Sequence, residues 1–104
     1  LQASLAGISA EEAEEVVVAY EPVWAIGTGL SASADDAAEV TDAIRAALLD
    51  LWGPEGEKTR ILYGGSVNQG NIAGFMAKKT IDGALVGGAS LDPDSFAGVV
   101  RYWI

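Results

Sequence analysis

Histidine and cysteine are both missing from this sequence, and bases are scarce: 6 lysines and arginines face 15 acids, for a formal net charge of −9. Without cysteine there is no disulfide and no thiolate nucleophile. Without histidine there is no imidazole catalysis, and the commonest metal ligand is gone. Nucleic acid is not an expected partner, because phosphate backbones select basic patches. No apolar run approaches the length of a membrane span, and no charged-then-apolar leader opens the chain. The expectation is a soluble, cytoplasmic protein with no membrane contact. At 104 residues, half of them hydrophobic, it is at most one small domain with enough apolar material for a core.

What is present is organised around residues 16–32, VVVAYEPVWAIGTGLSA. Five residues from Val16 to Tyr20 run without polar alternation into one acid, Glu21. Such a run reads as a strand buried on both faces, as in a parallel sheet. Glu21 then stands at the C-terminal end of that strand, where α/β folds place their chemistry. Pro22 biases Glu21 towards extended geometry and sets the direction in which the chain leaves. A loop with Gly27 and Gly29 follows, free to hinge and to cover the acid. Burial under such a cover strengthens a carboxylate as a base.

Along the chain, residues 1–7 read as the tail of a helix. Ser9 can cap a short acidic helix over Ala10–Glu15. Ser33, with Asp36 three residues on, opens an amphipathic helix Ala34–Trp52, whose apolar stripe is Ala37, Val40, Ile44, Leu48 and Leu51. Gly53-Pro54 ends it. A second strand is expected at Arg60–Tyr63, broken by Gly64-Gly65-Ser66. Asn68 or Asn71 can open the next helix, which carries Ile72, Phe75 and Met76 inward and ends near Lys78-Lys79. The third strand is residues 83–86, ended by Gly87-Gly88. Asp92 then caps a last helix, with Pro93 at its first position and Phe96, Val99, Val100 and Trp103 as its stripe. Strand and helix alternate three times with short turns, the βαβ pattern of a parallel sheet. Three strands cannot close a barrel, so the sequence reads as part of a sheet.

Three glycine pairs, Gly27/Gly29, Gly64-Gly65 and Gly87-Gly88, fall at the same end of these strands. Glycine permits close approach of backbone N–H groups to an anion, and a helix N-terminus behind each loop adds positive potential. A phosphate can thus be held without lysine. Lys58, Arg60, Lys78 and Lys79 precede strands and belong to the opposite rim, while Arg45 and Arg101 lie within helices. The remaining acids read as solvated helix faces, and Asp82 as the structural partner of a cation.

Three motifs, YEPVWAIGTG (20–29), YGGSV (63–67) and DGALVGGASL (82–91), resemble the triosephosphate isomerase family in order and spacing. The resemblance implies an α/β fold, the C-terminal three βα units (strands six to eight) of a (β/α)8 TIM barrel, over residues 1–104. It implies that Glu21 is the base shuttling a proton between C1 and C2 of dihydroxyacetone phosphate and glyceraldehyde 3-phosphate, a step of glycolysis and gluconeogenesis. Gly27, Ser66, Gly87 and Gly88 match positions whose backbone amides hold the substrate phosphate. Pro22, Val23, Trp24, Ala25, Ile26, Thr28, Gly29, Leu30, Ser31 and Ala32 match the lid, which Tyr63 and Ser66 would hydrogen-bond when closed. This family is itself the standard worked case of a glutamate base under a water-excluding lid. Arg45 and Asp82 resemble the family's structural ion pair.

The resemblance implies no metal and no cofactor, and a homodimer for the intact enzyme. Two departures matter. The distal hinge reads Leu30-Ser31-Ala32 where Lys-Thr-Ala is usual, which changes how the lid end meets solvent. The family also needs a lysine and a histidine from its N-terminal half, and this chain supplies neither on that face. Little isomerase activity is therefore expected of the chain alone. A non-catalytic part-barrel that assembles with itself or a partner, and a different phosphate-binding barrel enzyme, are the competing readings; the EPVWAIGTG loop argues against the latter.

Overall fold

A computed structural model describes residues 2–22 and 33–102. Three strands, β1 (Val17–Tyr20), β2 (Arg60–Tyr63) and β3 (Gly83–Ala84), form one parallel sheet in the order β1-β2-β3. Val18 pairs with Ile61 and Tyr20 with Tyr63; Tyr63 in turn pairs with Ala84. The helices are α1 (Gln2–Leu5), α2 (Ala34–Trp52), α3 (Ile72–Met76) and α4 (Pro93–Val100), so β1-α2-β2-α3-β3-α4 repeats the expected alternation. The family-level expectation of an α/β parallel sheet is met.

α2 begins and ends where its caps predict. Ser33 Oγ accepts from Asp36 N at 3.0 Å, and Gly53 leaves the helix with φ +63°, a conformation that costs glycine little. Its buried face is Ala37, Thr41, Arg45, Leu48 and Trp52. That stripe is rotated from the expected one, because Thr41 and Arg45 are buried with partners. Thr41 Oγ1 lies 2.8 Å from Thr80 Oγ1. Arg45 Nη1 donates to Gly56 O and Thr59 O at 2.7 Å each, and Nη2 to Asp82 Oδ2 at 2.9 Å. Asp82 Oδ2 also accepts from Ile61 N at 2.8 Å, so one ion pair joins α2 to the starts of β2 and β3.

Side chains of alternate strand residues face the helices. Tyr63, Val67, Ile72, Phe75, Ile81, Val99 and Ala37 make one cluster; Leu5, Ala13, Leu48, Trp52 and Ile61 make the other. Tyr63 is fully buried and stacks on Phe75 with ring centroids 4.2 Å apart.

Several expectations are corrected. β1 starts at Val17 and is not buried on both faces: Val17 is 50% exposed and Leu85, beyond β3, 49%, because among the described residues the helices cover only one side of the sheet. The short helix expected over Ala10–Glu15 is present, and is of the 3-10 type, with the Glu12 carboxylate reaching back to Ser9 N and Oγ. The helix opened by the asparagines is a five-residue α3 that stops at Met76, short of Lys78. The third strand has two ladder residues, not four. In α4, Asp92 does cap, accepting from Asp94 N at 3.0 Å, but of its stripe only Val99 is buried while Phe96 and Val100 stand exposed. Trp103 lies outside the described residues.

Candidate active site

The C-terminal ends of the three strands are laced together one bond beyond the ladder. Gly64 N donates to Tyr20 O at 2.7 Å, and Leu85 N to Tyr63 O at 2.9 Å. The segments that leave these ends therefore start side by side. Glu21 and Pro22 from the first, Gly64 to Asn68 from the second, and Gly87 to Ala89 from the third line one open cleft of about 440 Å³. No lysine or arginine is among its lining residues. Three of the six cations are engaged elsewhere: Lys58 with Glu55, Lys78 with Asp35, and Arg45 with Asp82. The hydrogen bond and charge of Lys78 hold the Asp35 carboxyl below its ordinary value, and Glu55 does the converse for Lys58, raising its ammonium.

Glu21 is exposed on the cleft, while Pro22 behind it is fully buried. The Glu21 Cβ lies close to Gly64, 3.7 Å from where a Gly64 Cβ would stand. The carboxylate stem thus runs along the second turn, on the side of the sheet that the helices leave open.

The donors of the cleft are main-chain groups. Among the described residues, the backbone N–H groups of Gly65, Ser66, Val67, Gly87 and Gly88 donate to no protein acceptor. Val67 is only 7% exposed, its side chain packed in the larger apolar cluster. Unpaired amides at one buried-sided concavity are costly to leave empty and suit an anion. At Gly87 and Gly88 neither backbone has positive φ, and an added Cβ would meet nothing within 4 Å. Their missing side chains leave space open beside this turn.

Of the residues singled out from sequence, the structure brings Glu21, Pro22, Ser66, Gly87 and Gly88 together on this cleft. Gly27 and the lid positions 23–32 lie outside the described residues. Tyr63 does not line the cleft. It lies beneath it, with its hydroxyl under Gly65, where a Cβ would come within 2.1 Å. Gly64 and Gly65, expected at this end of the sheet as a glycine pair, line the cleft as well, whereas sequence reasoning gave no cleft role to Val67, Asn68 or Ala89. It also read Asn68 and Asn71 only as helix openers, although their three-residue spacing signals a side-chain-braced turn. Among the described residues no cluster of three or more histidines, cysteines or acids could hold a metal ion, and no helix is long and apolar enough to cross a membrane.

A model of the triosephosphate isomerase family matches residues 1–103. The triosephosphate isomerase of Streptomyces coelicolor is 58% identical over 103 residues, covering 98% of this chain and 40% of that protein. That of Nocardia farcinica is 60% identical over 98 residues, 93% of this chain and 38% of its own length. The enzyme of Caldanaerobacter subterraneus is 56% identical over 100 residues, again with 40% of its length covered. The chain thus spans about 40% of the length of the curated relatives it matches.

Proposed function

The chain belongs to the triosephosphate isomerase family, and from that premise we propose that it forms strands six to eight of the family's barrel and carries the base, lid and phosphate cradle of the isomerase. Glu21 takes a proton from C1 of dihydroxyacetone phosphate and the electron pair moves through the C1–C2 bond onto the C2 oxygen, giving an enediolate; the hydroxyl proton passes from the C1 oxygen to the C2 oxygen through the electrophile that the N-terminal half of the barrel would supply, and the same carboxylate returns its proton to C2 to give glyceraldehyde 3-phosphate. The amides of Ser66, Gly87 and Gly88, with Gly27 from the lid, hold the phosphate. Residues 22–32 close over the site and exclude water, which strengthens the base and keeps the enediolate from losing phosphate.

The observation that carries this reading is the convergence, among the described residues, of one carboxylate with a row of unpaired amides on a cleft without a cationic side chain. A phosphorylated three-carbon substrate places its acidic C–H carbon two or three bonds from the ester oxygen, a reach that a single small cleft suits. The intact enzyme acts as a cytoplasmic homodimer without metal or cofactor. The 104-residue chain alone has little turnover, because it supplies no lysine or histidine as electrophile on this face.

The test is an isomerase assay with and without an added N-terminal half of the barrel. Activity recovered by the mixture and absent from Glu21→Gln supports the reading. Equal activity in the Gln variant, or a kcat of about 10 s⁻¹ from the chain alone, contradicts it. One observation favours a second reading, a non-catalytic assembling part-barrel: the uncovered sheet face with Val17 and Leu85 half exposed. Sedimentation separates the two, since a monomer at micromolar concentration is incompatible with self-assembly through that face.

A further inference from the structure

The two anion-facing turns share a device. At each, the carbonyl before a free amide is tied down from behind by a side chain. Asn71 Nδ2 donates to Ser66 O at 2.9 Å, and Asn71 Oδ1 accepts from Asn68 N at 2.9 Å. Asn68 Oδ1 braces the other side, accepting from Gly70 N at 2.8 Å and Asn71 N at 3.0 Å. In the third turn Ser90 N and Ser90 Oγ both donate to Gly87 O, at 2.9 and 2.5 Å. Ser66, Gly87 and Gly88 line the cleft, whereas Asn71 and Ser90 do not.

In a planar trans peptide the C=O and the following N–H point in opposite directions. A carbonyl bound by a group outside the cleft therefore turns the next amide the other way. Holding Ser66 O aims Val67 N–H, and holding Gly87 O aims Gly88 N–H; both are among the amides with no protein acceptor. Asn71 does a second job, since its Oδ1 occupies Asn68 N and so ends the row of open donors at Val67. We propose that Asn71 and Ser90 are positioning residues, which fix the peptide planes of the two turns so that Val67 and Gly88 present their amides to a bound phosphate. The proposal rests on the phosphate-binding reading above and deepens it. Neither side chain touches the anion; each acts through the carbonyl that it holds.

The test is amide NMR of the 104-residue chain titrated with inorganic phosphate, for the wild type, Asn71→Ala, Asn71→Asp and Ser90→Ala. In the wild type, phosphate shifts the amides of Ser66, Val67, Gly87 and Gly88 together. In Asn71→Ala the response at Ser66 and Val67 falls away while that at Gly87 and Gly88 persists, and the phosphate Kd rises about tenfold, the effect of losing one well-made hydrogen bond. Asn71→Asp keeps the acceptor for Asn68 N but cannot donate to Ser66 O, so it follows the alanine variant and serves in its place if that variant unfolds. Ser90→Ala keeps the backbone donor to Gly87 O and shows the smaller loss, confined to Gly88. A uniform loss at all four amides, or variants that titrate like the wild type, overturns the positioning role and leaves phosphate binding standing. No response in the wild type overturns the phosphate reading itself, and the positioning role with it.

Discussion

Arg45→Ala is expected to be the costliest single truncation outside the hydrophobic clusters. Arg45 is 8% exposed and its guanidinium serves three acceptors: Gly56 O, Thr59 O and Asp82 Oδ2. Removing it strips two carbonyls of their donor and leaves Asp82 without its cation. Breaking a buried ion pair from one side costs about 3–5 kcal/mol. Asp82 keeps 33% of its side-chain surface and its bond from Ile61 N, so water and backbone offset part of the loss. That places the cost near the lower end, about 3 kcal/mol, against a total stability of about 5–15 kcal/mol for a domain. Trp52 is a natural reporter, buried at the end of the same helix with its indole N–H donating to Ile8 O at 3.0 Å. In urea, with an m-value of about 1.5 kcal/mol per molar, the midpoint should fall by roughly 2 M. Asp82→Asn keeps an oxygen for Ile61 N and should cost about 1 kcal/mol. Arg45→Lys should recover less than half of the alanine deficit, since an ammonium lacks the planar fork that spans the three acceptors. A midpoint for Arg45→Ala within 0.5 M of the wild type (roughly 0.75 kcal/mol at that slope), at unchanged m, would refute the reasoning.

Two further outcomes follow from the same coordinates. Gly65→Ala drives a methyl to 2.1 Å from the Tyr63 hydroxyl and 2.4 Å from its Cζ, beneath a ring that is fully buried against Phe75. Overpacking of this kind costs about 1–3 kcal/mol; Tyr63→Phe in the same chain should recover only part of it, because the ring carbon still clashes, and thermal unfolding of the two variants measures the difference. Lys78 lowers the Asp35 carboxyl below 3.8, so the pair's contribution is fully present above that value and is lost as pH falls through the lower, folded-state value. The stability difference between wild type and Asp35→Asn, followed by urea midpoints from neutral pH into strong acid, should close below 3.8; a difference that grew with acidity would have the wrong sign.

Much of the frame is legible in the sequence because it rests on local signals. Ser33 with Asp36, and Gly53-Pro54, bound α2 at the residues where it starts and stops, since a cap and a breaker act within one turn. The three strands and their order follow from apolar runs between glycine turns. Burial was less legible, because periodicity counts apolar residues and cannot see partners. Arg45 and Thr41 occupy the inward face of α2 through bonds to residues 11 to 39 positions away. The double-sided burial expected of β1 failed for the same reason: a strand's sequence states its preference, and its neighbours decide exposure. At the site, the motifs marked Glu21, Ser66, Gly87 and Gly88, while Val67, the last residue of the second motif, was given no role. The role we propose for it depends on a peptide plane, which is set by what binds the preceding carbonyl and not by the side chain.

The two rims of the sheet show opposite treatments of the main chain. Where β2 and β3 begin, polar groups are over-supplied with partners: Arg45 and Asp82 serve both strands, and Thr59 Oγ1 donates to Ala13 O at 2.7 Å. Where the strands end, the amides of Gly65, Ser66, Val67, Gly87 and Gly88 donate to no acceptor among the described residues. A turn that keeps its N–H groups open cannot be held by them, so its order has to come from its carbonyls and from the packing behind it. That is where the bonds are found: Asn71 on Ser66 O, Ser90 on Gly87 O, Tyr20 O on Gly64 N, and the Tyr63 ring packed under Gly65. The Gln69 side chain adds a contact from outside, lying over Gly98 of α4 so closely that a Cβ there would come within 2.2 Å of its Oε1. On our reading a phosphate cradle built this way needs no cation of its own: in a chain of net charge −9 its attraction for an anion comes from N–H dipoles, whose direction the side chains behind the turns would fix.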